Sequence, residues 1–333
     1  MNVRKQIPAQ FYNQQLLDSV REKGDFLADN VINQFATENS PQKIKDLIVW
    51  LTNSTKLDDK SNYTVVDNFI ENLDFPAWLN YEKLKKGCDF FVLHQDSIAV
   101  LLGCMSLPYC YAAANGAMVL IKSERIKNDT QKRLEETATF VFDLMQFKSW
   151  QKKAVIPKIA KIRLLHACIR FYCKNSKDWQ SEWGLAINQE DMAGTNLAFS
   201  YVIIKGLRKA NIKHNEAQAQ DFLYTWNVIG AMLGVEEPLL PQNLRQAFLL
   251  DKAIAKRQFR QSEAGQTLTK ALVETLESFV PNQAAKSVPS AMMRFLLGNP
   301  MADLLGIAPS PIQSKLLSVL PMKFLFKNPQ KIS

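Results

Sequence analysis

The stretch KIRLLHACIRFYC, residues 161–173, constrains the fold more than any other part of the chain. It contains neither glycine nor proline and predicts a helix. Arg163, His166 and Arg170 are spaced at i, i+3 and i+7, so they project from one face of that helix. Most of the remaining surface is apolar, which is typical of a buried helix. Because an unpaired charge in a protein interior is very costly, these side chains need partners there.

A haem b group would supply both kinds of partner, since its iron accepts an imidazole nitrogen and its propionates suit guanidinium groups. We therefore predict His166 as the axial ligand of the iron, with Ala167 small enough to let the macrocycle approach. Arg163 and Arg170 would pair with the propionates or fix the proximal side. On spacing alone, an ordinary buried histidine with arginines that pair to protein carboxylates is the stronger alternative.

Composition predicts an all-α protein. The 333 residues, 47% of them hydrophobic, suffice for one large domain, glycine and proline are sparse, and few segments alternate apolar with polar residues. We expect a single large helical domain with a globin-like haem-binding core and extra helices. The net charge is +9, but charges of both signs alternate and no basic block is interleaved with aromatic residues, so we predict no nucleic-acid partner.

The cysteines and the N-terminus predict a cytoplasmic location. There are five cysteines, an odd number without a CxxC pair, and most lie in apolar sequence, as reduced buried thiols do. Residues 1–15 lack the apolar core of a signal peptide and a twin-arginine pair, so we expect no export signal.

Three parts are expected along the chain. Residues 1–86 predict an N-terminal helical extension, residues 87–306 the haem-binding domain, and residues 307–333 an amphipathic segment. That last segment could contact a membrane surface peripherally, although docking on the protein's own core is the stronger interpretation. Residues 97–121 carry no charge, and their proline, glycines and asparagine favour two buried helices that meet at Leu107–Pro108 over a membrane span.

Several motifs occur in one order: RLEET at residues 133–137, RLLHACIR at 163–170, and INQEDMAGTNLAFS at 187–200. Together they resemble the rubber oxygenase (latex clearing protein) family and the related fungal oxygenases of meroterpenoid biosynthesis. The resemblance runs from about residue 87 to about residue 306. It implies a b-haem oxygenase that uses dioxygen on an apolar, isoprenoid- or lipid-like substrate, with cleavage of a carbon–carbon double bond as the type case. The secreted rubber oxygenases carry export signals, which argues against an extracellular polymer as the substrate here.

The resemblance places Arg133 and Thr137 on the distal side of the haem, where they would orient dioxygen or hold a water. An ion pair within the helix is the alternative for Arg133. At the position of Glu136 the best-known rubber oxygenases have a lysine that can cap the iron, so a lysine-capped state is not expected. The family also uses an upstream glutamate as catalytic base. Glu124 is the nearest acidic residue and a weak candidate, because a solvated surface glutamate is the stronger interpretation.

Asn188 predicts a helix N-cap, and the helix that follows carries polar residues suited to line a pocket: Thr195, Asn196 and Ser200. Asp191 is a speculative acceptor for the His166 ring N–H. The alternative is that Asp191 only caps the start of the helix.

Two other functions stay open. The first is a non-enzymatic haem- or lipid-binding protein that could associate with a membrane, because no catalytic base is placed securely. The second is a helical interaction protein without a cofactor. The three histidines lie far apart in sequence, and GxGxxG, GxxxxGK[ST] and GxSxG motifs are absent, so zinc, nucleotide and serine-hydrolase chemistries have no support. Cys168 as a thiolate ligand is disfavoured because it would point away from the His166 face.

Overall fold

The computed structural model describes residues 12–53, 61, 63–122, 130–280 and 286–309. Within these ranges the protein is all-α, with one isolated β-bridge between Ala113 and Phe259. This confirms the predicted fold class.

In chain order the helices are α1 (Gln14–Arg21), α2 (Phe26–Glu38), α3 (Pro41–Asn53), α4 (Thr64–Asn72), α5 (Tyr81–Leu93), α6 (Gln95–Leu101), α7 (Leu107–Tyr111), α8 (Ala114–Lys122) and α9 (Thr130–Leu144). They continue with α10 (Phe147–Gln151), α11 (Val155–Asn175), α12 (Gln189–Phe199), α13 (Tyr201–Lys209), α14 (Glu216–Met232), α15 (Leu244–Gln258), α16 (Glu263–Ser278), α17 (Val288–Leu297) and α18 (Asn299–Leu304). Short 3₁₀ turns lie at Ser181–Trp183 and Glu237–Leu239.

Polar side chains that accept a hydrogen bond from the first turn start many of these helices. Such N-caps satisfy one of the backbone N–H groups that a helix start leaves without an intrahelical partner. The capping residues are Asn13, Asp25, Asn80, Asn188, Asn215, Asn243 and Ser262. The N-cap predicted at Asn188 is therefore confirmed.

Helix α11 lies between two apolar clusters. Its first half contributes Val155, Ile156 and Ile159 to a large core built from α1 and from the helices that begin with α5. Its second half contributes Leu164, Ala167 and Cys168 to a smaller core shared with α2, α3 and α4. The helix is thus buried on both sides, as its composition predicts.

The closest helix pair is α5 with α14, which contact each other more extensively than any other two described helices. Gly87 makes this approach possible, because a Cβ atom there would lie 2.5 Å from the backbone oxygen of Asp221 and 2.1 Å from Oγ1 of Thr225. The domain boundary predicted at residues 86 and 87 falls inside α5, in the middle of its packing surface.

The uncharged stretch forms buried helices, but their junction differs from the prediction. Leu102–Ser106 is a buried π-helical segment that continues α6 directly into α7, and Pro108 lies in the first turn of α7. A proline is tolerated in a first turn, where its missing N–H leaves no intrahelical bond unmade. The break comes later, between α7 and α8.

Among the described residues no single helix is long and apolar enough to cross a membrane. The helix Tyr81–Leu93 and the segment Gln95–Tyr111 pass that test only as a pair, and they meet at a bend of 81°. Most of the predicted amphipathic segment, residues 310–333, lies outside the described part of the chain.

Candidate functional site

His166 lies on a half-buried stripe of α11 together with Ile162, Ile169 and Cys173. Its Nδ1 atom is enclosed and has no hydrogen-bond partner among the described residues, so the accessible edge of the ring is the one that carries Nε2. Burial, with a further contribution from the positive charge of Arg170, lowers the pKa of His166 to about 4. The imidazole is therefore neutral at neutral pH, which is the state that binds a metal.

Arg163 projects from the same helix but is fully engaged by protein groups. Its Nε and Nη2 atoms donate to the two carboxylate oxygens of Asp25 at 2.6 and 2.7 Å, and Nη1 donates to the backbone oxygen of Met232 at 3.4 Å. Both partners of the ion pair are at most 5% exposed. A bidentate protein carboxylate thus already neutralises the guanidinium, which disfavours the propionate role, and fixing the proximal side stays a prediction for Arg163.

Arg170 is engaged only in part. Its Nε atom donates to Asp29 at 2.6 Å and Nη1 donates to the backbone oxygen of Ile187 at 3.1 Å, while Nη2 is enclosed without a partner. Ile187 has a φ of +48°, a conformation that is strained for a β-branched residue. Arg170 thus fixes the strained turn before α12, and a propionate role for its free Nη2 stays a prediction.

Ala167 does not face the His166 stripe. It is 1% exposed and packs in the smaller core with Ile32, Phe35 and Leu47 of α2 and α3. A macrocycle bound at His166 would lie on the half-buried stripe, whereas Ala167 belongs to a different face of α11. This packing disfavours the predicted contact of Ala167 with the cofactor, which stays a prediction.

Helix α9 packs against α11 and α16 and brings Arg133 to the site. The charge of Arg133 acts on three groups, since it lowers the pKa of His166 and opposes the burial that raises the pKa values of Cys110 and Tyr111 to about 12. Thr137 lies one turn after Arg133 and is half-buried, whereas Glu136 is exposed. The charge of Arg133 thus reaches His166, although the two residues are far apart in sequence, and the distal role of Arg133 and Thr137 stays a prediction. Glu124 is outside the described residues.

Helix α12 forms another wall. Thr195 is exposed although its helix is otherwise largely buried, so an open space lies beside it. The Thr195 hydroxyl donates to the backbone oxygen of Asp191 at 2.9 Å and also bonds to the Cys110 thiol. The charge of Arg133 thus acts on Cys110, the partner of Thr195, as well as on His166.

Asp191 binds protein partners rather than His166. Its carboxylate accepts hydrogen bonds from Arg21 at 3.2 Å and from the Asn188 side chain at 2.8 Å. Burial raises the pKa of Asp191 to about 6, against the opposing charge of Arg21. The speculative bond from the His166 ring to Asp191 is wrong, because Nδ1 has no partner among the described residues and the capping interpretation holds.

The neighbouring Glu190 is 0% exposed and neutralised by two arginines. Arg21 donates to it at 3.1 Å and Arg257 at 2.7 Å, while Gln258 adds a bond at 2.9 Å. Sequence reasoning missed this network, as it missed Asp25 and Asp29. The spacing of Asp25 and Asp29, one helical turn apart at the start of α2, was the available signal for a partner of the two α11 arginines.

These residues fit a haem b group. His166 offers a neutral imidazole with an accessible Nε2 edge, and Arg170 offers an enclosed N–H donor that a propionate would satisfy. Thr195 is an exposed side chain on the otherwise largely buried α12.

Comparison with known proteins agrees with this site. The family model described as ER-bound oxygenase mpaB/B'/Rubber oxygenase, catalytic domain, matches residues 92–320, more than half of the chain. The chain belongs to this oxygenase family. Membership confirms the resemblance stated from the motifs.

Two relatives show how far the likeness to rubber oxygenases extends. The Rubber oxygenase of Streptomyces sp. (strain K30) is 22% identical over 247 residues, which are 73% of this chain and 60% of that protein. The chain thus spans about 60% of the length of this curated relative. A solved structure of latex clearing protein LCP in the closed state superposes with a TM-score of 0.76 at 19% identity. It covers 92% of this chain and 83% of the other, and it shows a shared fold.

Proposed function

We propose that the protein is a b-haem-dependent oxygenase that acts with dioxygen on an apolar, isoprenoid- or lipid-like substrate and cleaves a carbon–carbon double bond. The observation that carries this proposal is His166, a neutral imidazole with an accessible Nε2 edge in the interior of an oxygenase-family domain. When bound there, the haem would supply an iron that activates dioxygen.

The residues around that position have separate tasks. His166 would bind the iron, and Arg170 would donate a hydrogen bond to a propionate of the haem through its Nη2 atom. Arg133 places a positive charge on the opposite helix, where a developing negative charge on oxygen would be stabilised. Thr137 would add a hydroxyl one turn further along α9. The apolar lining by Ile162 and Ile169 would exclude water.

The proposed overall reaction adds both oxygen atoms of dioxygen to the two carbons of one double bond and yields two carbonyl groups. To test it, the haem-loaded, reduced protein is incubated with isoprenoid alkenes under ¹⁸O₂ while oxygen uptake is recorded. We expect oxygen uptake and labelled carbonyl products. A protein with a Soret band that consumes no oxygen with any apolar alkene is a binder, and a protein without a Soret band after haem loading contradicts both readings.

A further inference from the structure

Three polar atoms at the crossing of α12 and α14 have no hydrogen-bond partner among the described residues. They are Oδ1 and Nδ2 of Asn196 and Nε1 of Trp226. Asn196 is 6% exposed and Trp226 is 4% exposed. Leaving buried polar groups without partners is costly, so such groups usually meet a water or a ligand.

Both side chains lie against the same stretch of α14. A Cβ atom added at Gly230 would come within 2.9 Å of the Asn196 Oδ1 atom, so only glycine leaves room for this amide. Trp226 is one helical turn before Gly230, on the same face of α14. The ring of Phe199, from α12, lies 5.3 Å from the Trp226 ring. The amide and the indole are thus neighbours across one helix crossing.

This pair adjoins the space beside Thr195. Phe199 follows Thr195 by one turn on the same face of α12, and Asn196 is the next residue in sequence. Phe199 is 8% exposed, whereas the neighbouring Leu197 and Ala198 are at most 1% exposed. Phe199 therefore lies between the exposed Thr195 and the buried ring of Trp226.

We propose that Asn196 and Trp226 form the polar end of the substrate pocket and bind a hydroxyl or carbonyl oxygen on an otherwise apolar molecule. This inference rests on the proposed function and narrows its substrate class. A hydroxyl would accept from the Trp226 indole N–H and donate to Asn196 Oδ1, and a carbonyl would accept from the indole and from Nδ2. A plain hydrocarbon would leave all three atoms without partners, so the site discriminates against it.

The test compares farnesol with the corresponding hydrocarbon that lacks only the hydroxyl, both added to the haem-loaded full chain. Affinities come from quenching of tryptophan fluorescence, and ¹H–¹⁵N spectra follow the Trp226 indole signal, assigned with Trp226→Phe. We expect farnesol to bind about tenfold tighter than the hydrocarbon and to shift the indole signal. Asn196→Leu, which keeps the side-chain shape, should remove about tenfold of farnesol affinity and leave hydrocarbon affinity unchanged.

Met192→Leu is the matched control, because Met192 is an apolar α12 residue that flanks Asn196 and should change the two affinities together. The inference is overturned if the wild-type protein binds both probes equally or binds neither. It is also overturned if farnesol leaves the indole signal unshifted and the ratio of farnesol to hydrocarbon affinity is the same in Asn196→Leu as in the wild type. Water alone would then occupy the site. Trp226→Phe repeats the test if Asn196→Leu does not fold. Failure of the proposed function shows separately, as absence of oxygen uptake in a protein that still distinguishes the probes.

Discussion

The arginines on the two helices that flank the candidate site have different surroundings. On α11, Arg163 is closed into a bidentate pair with Asp25, and Arg170 is held by Asp29 and a backbone oxygen. On α9, Arg133 is half-buried and its charge reaches His166, Cys110 and Tyr111. The comparison teaches that a buried cation near a site serves architecture when carboxylates enclose it. The charge of Arg170 also lowers the pKa of His166, but the charge of Arg133 acts on His166, Cys110 and Tyr111 together, which places it for chemistry.

The substitution Arg163→Met gives the strongest test of the architectural role, because it leaves the Asp25 carboxylate buried without its cation. We expect a loss of about 3–5 kcal/mol in the free energy of unfolding, since breaking one side of a buried pair strands the other charge. Urea denaturation measures it. The double variant Arg163→Met with Asp25→Asn keeps the cap of α2 and should recover most of the loss. A loss below about 1 kcal/mol in the single variant would contradict an architectural role.

Arg133→Gln tests the other side of the comparison through reaction rate. We expect oxygen uptake to fall about 10²–10³-fold, because the variant removes a positive charge aimed at the reacting oxygen, while the Soret band is kept. The rate is measured with saturating alkene, and haem content is recorded in the same sample. Lys132→Gln, an exposed neighbour, is the control and should keep the wild-type rate. Loss of haem in Arg133→Gln would show that Arg133 also serves architecture.

The pH dependence of stability tests whether His166 is buried as a neutral imidazole. Its pKa in the folded protein, about 4, lies below the ordinary value of 6.5, so the unfolded chain takes up the proton more readily. The contribution of His166 to stability is therefore fully present above pH 6.5 and is lost as pH falls towards 4. The difference between wild-type and His166→Gln denaturation curves isolates this term, because groups such as Asp191 titrate in both. A difference that does not change over this range would contradict a buried neutral imidazole.

Glu136→Gln should produce the smallest effect. Glu136 is exposed on α9, and surface substitutions of this kind usually change unfolding free energy by less than about 0.5 kcal/mol. We expect the rate of oxygen uptake to stay within about twofold of wild type. A change of about 0.5 kcal/mol in the activation free energy would alter the rate by about that factor. A tenfold fall in rate would show that Glu136, rather than a residue of another helix, handles a proton in the reaction.

Sequence patterns predicted the helices and the central helix around His166 well, because apolar periodicity and N-cap residues are local signals. The approach of Arg133 to His166 came from the family resemblance. The partners of Arg163 and Arg170 could not be predicted, because Asp25 and Asp29 lie well over a hundred residues earlier and meet α11 only through tertiary packing. The core that Ala167 joins could not be predicted for the same reason. Helix α11 is buried on two sides, and the spacing of its apolar residues does not indicate which core each of them joins.

The central claim is that His166 holds a haem iron, and the chain provides its own controls. His94 and His214 lie together against Phe90, with ring centroids 4.7 and 5.8 Å from it. The measurement is the haem stoichiometry and visible spectrum of His166→Ala beside His94→Ala and His214→Ala after identical loading. We predict that His166→Ala alone loses the bound haem or its axial imidazole signature. Stoichiometric haem with an unchanged spectrum in His166→Ala would contradict the account.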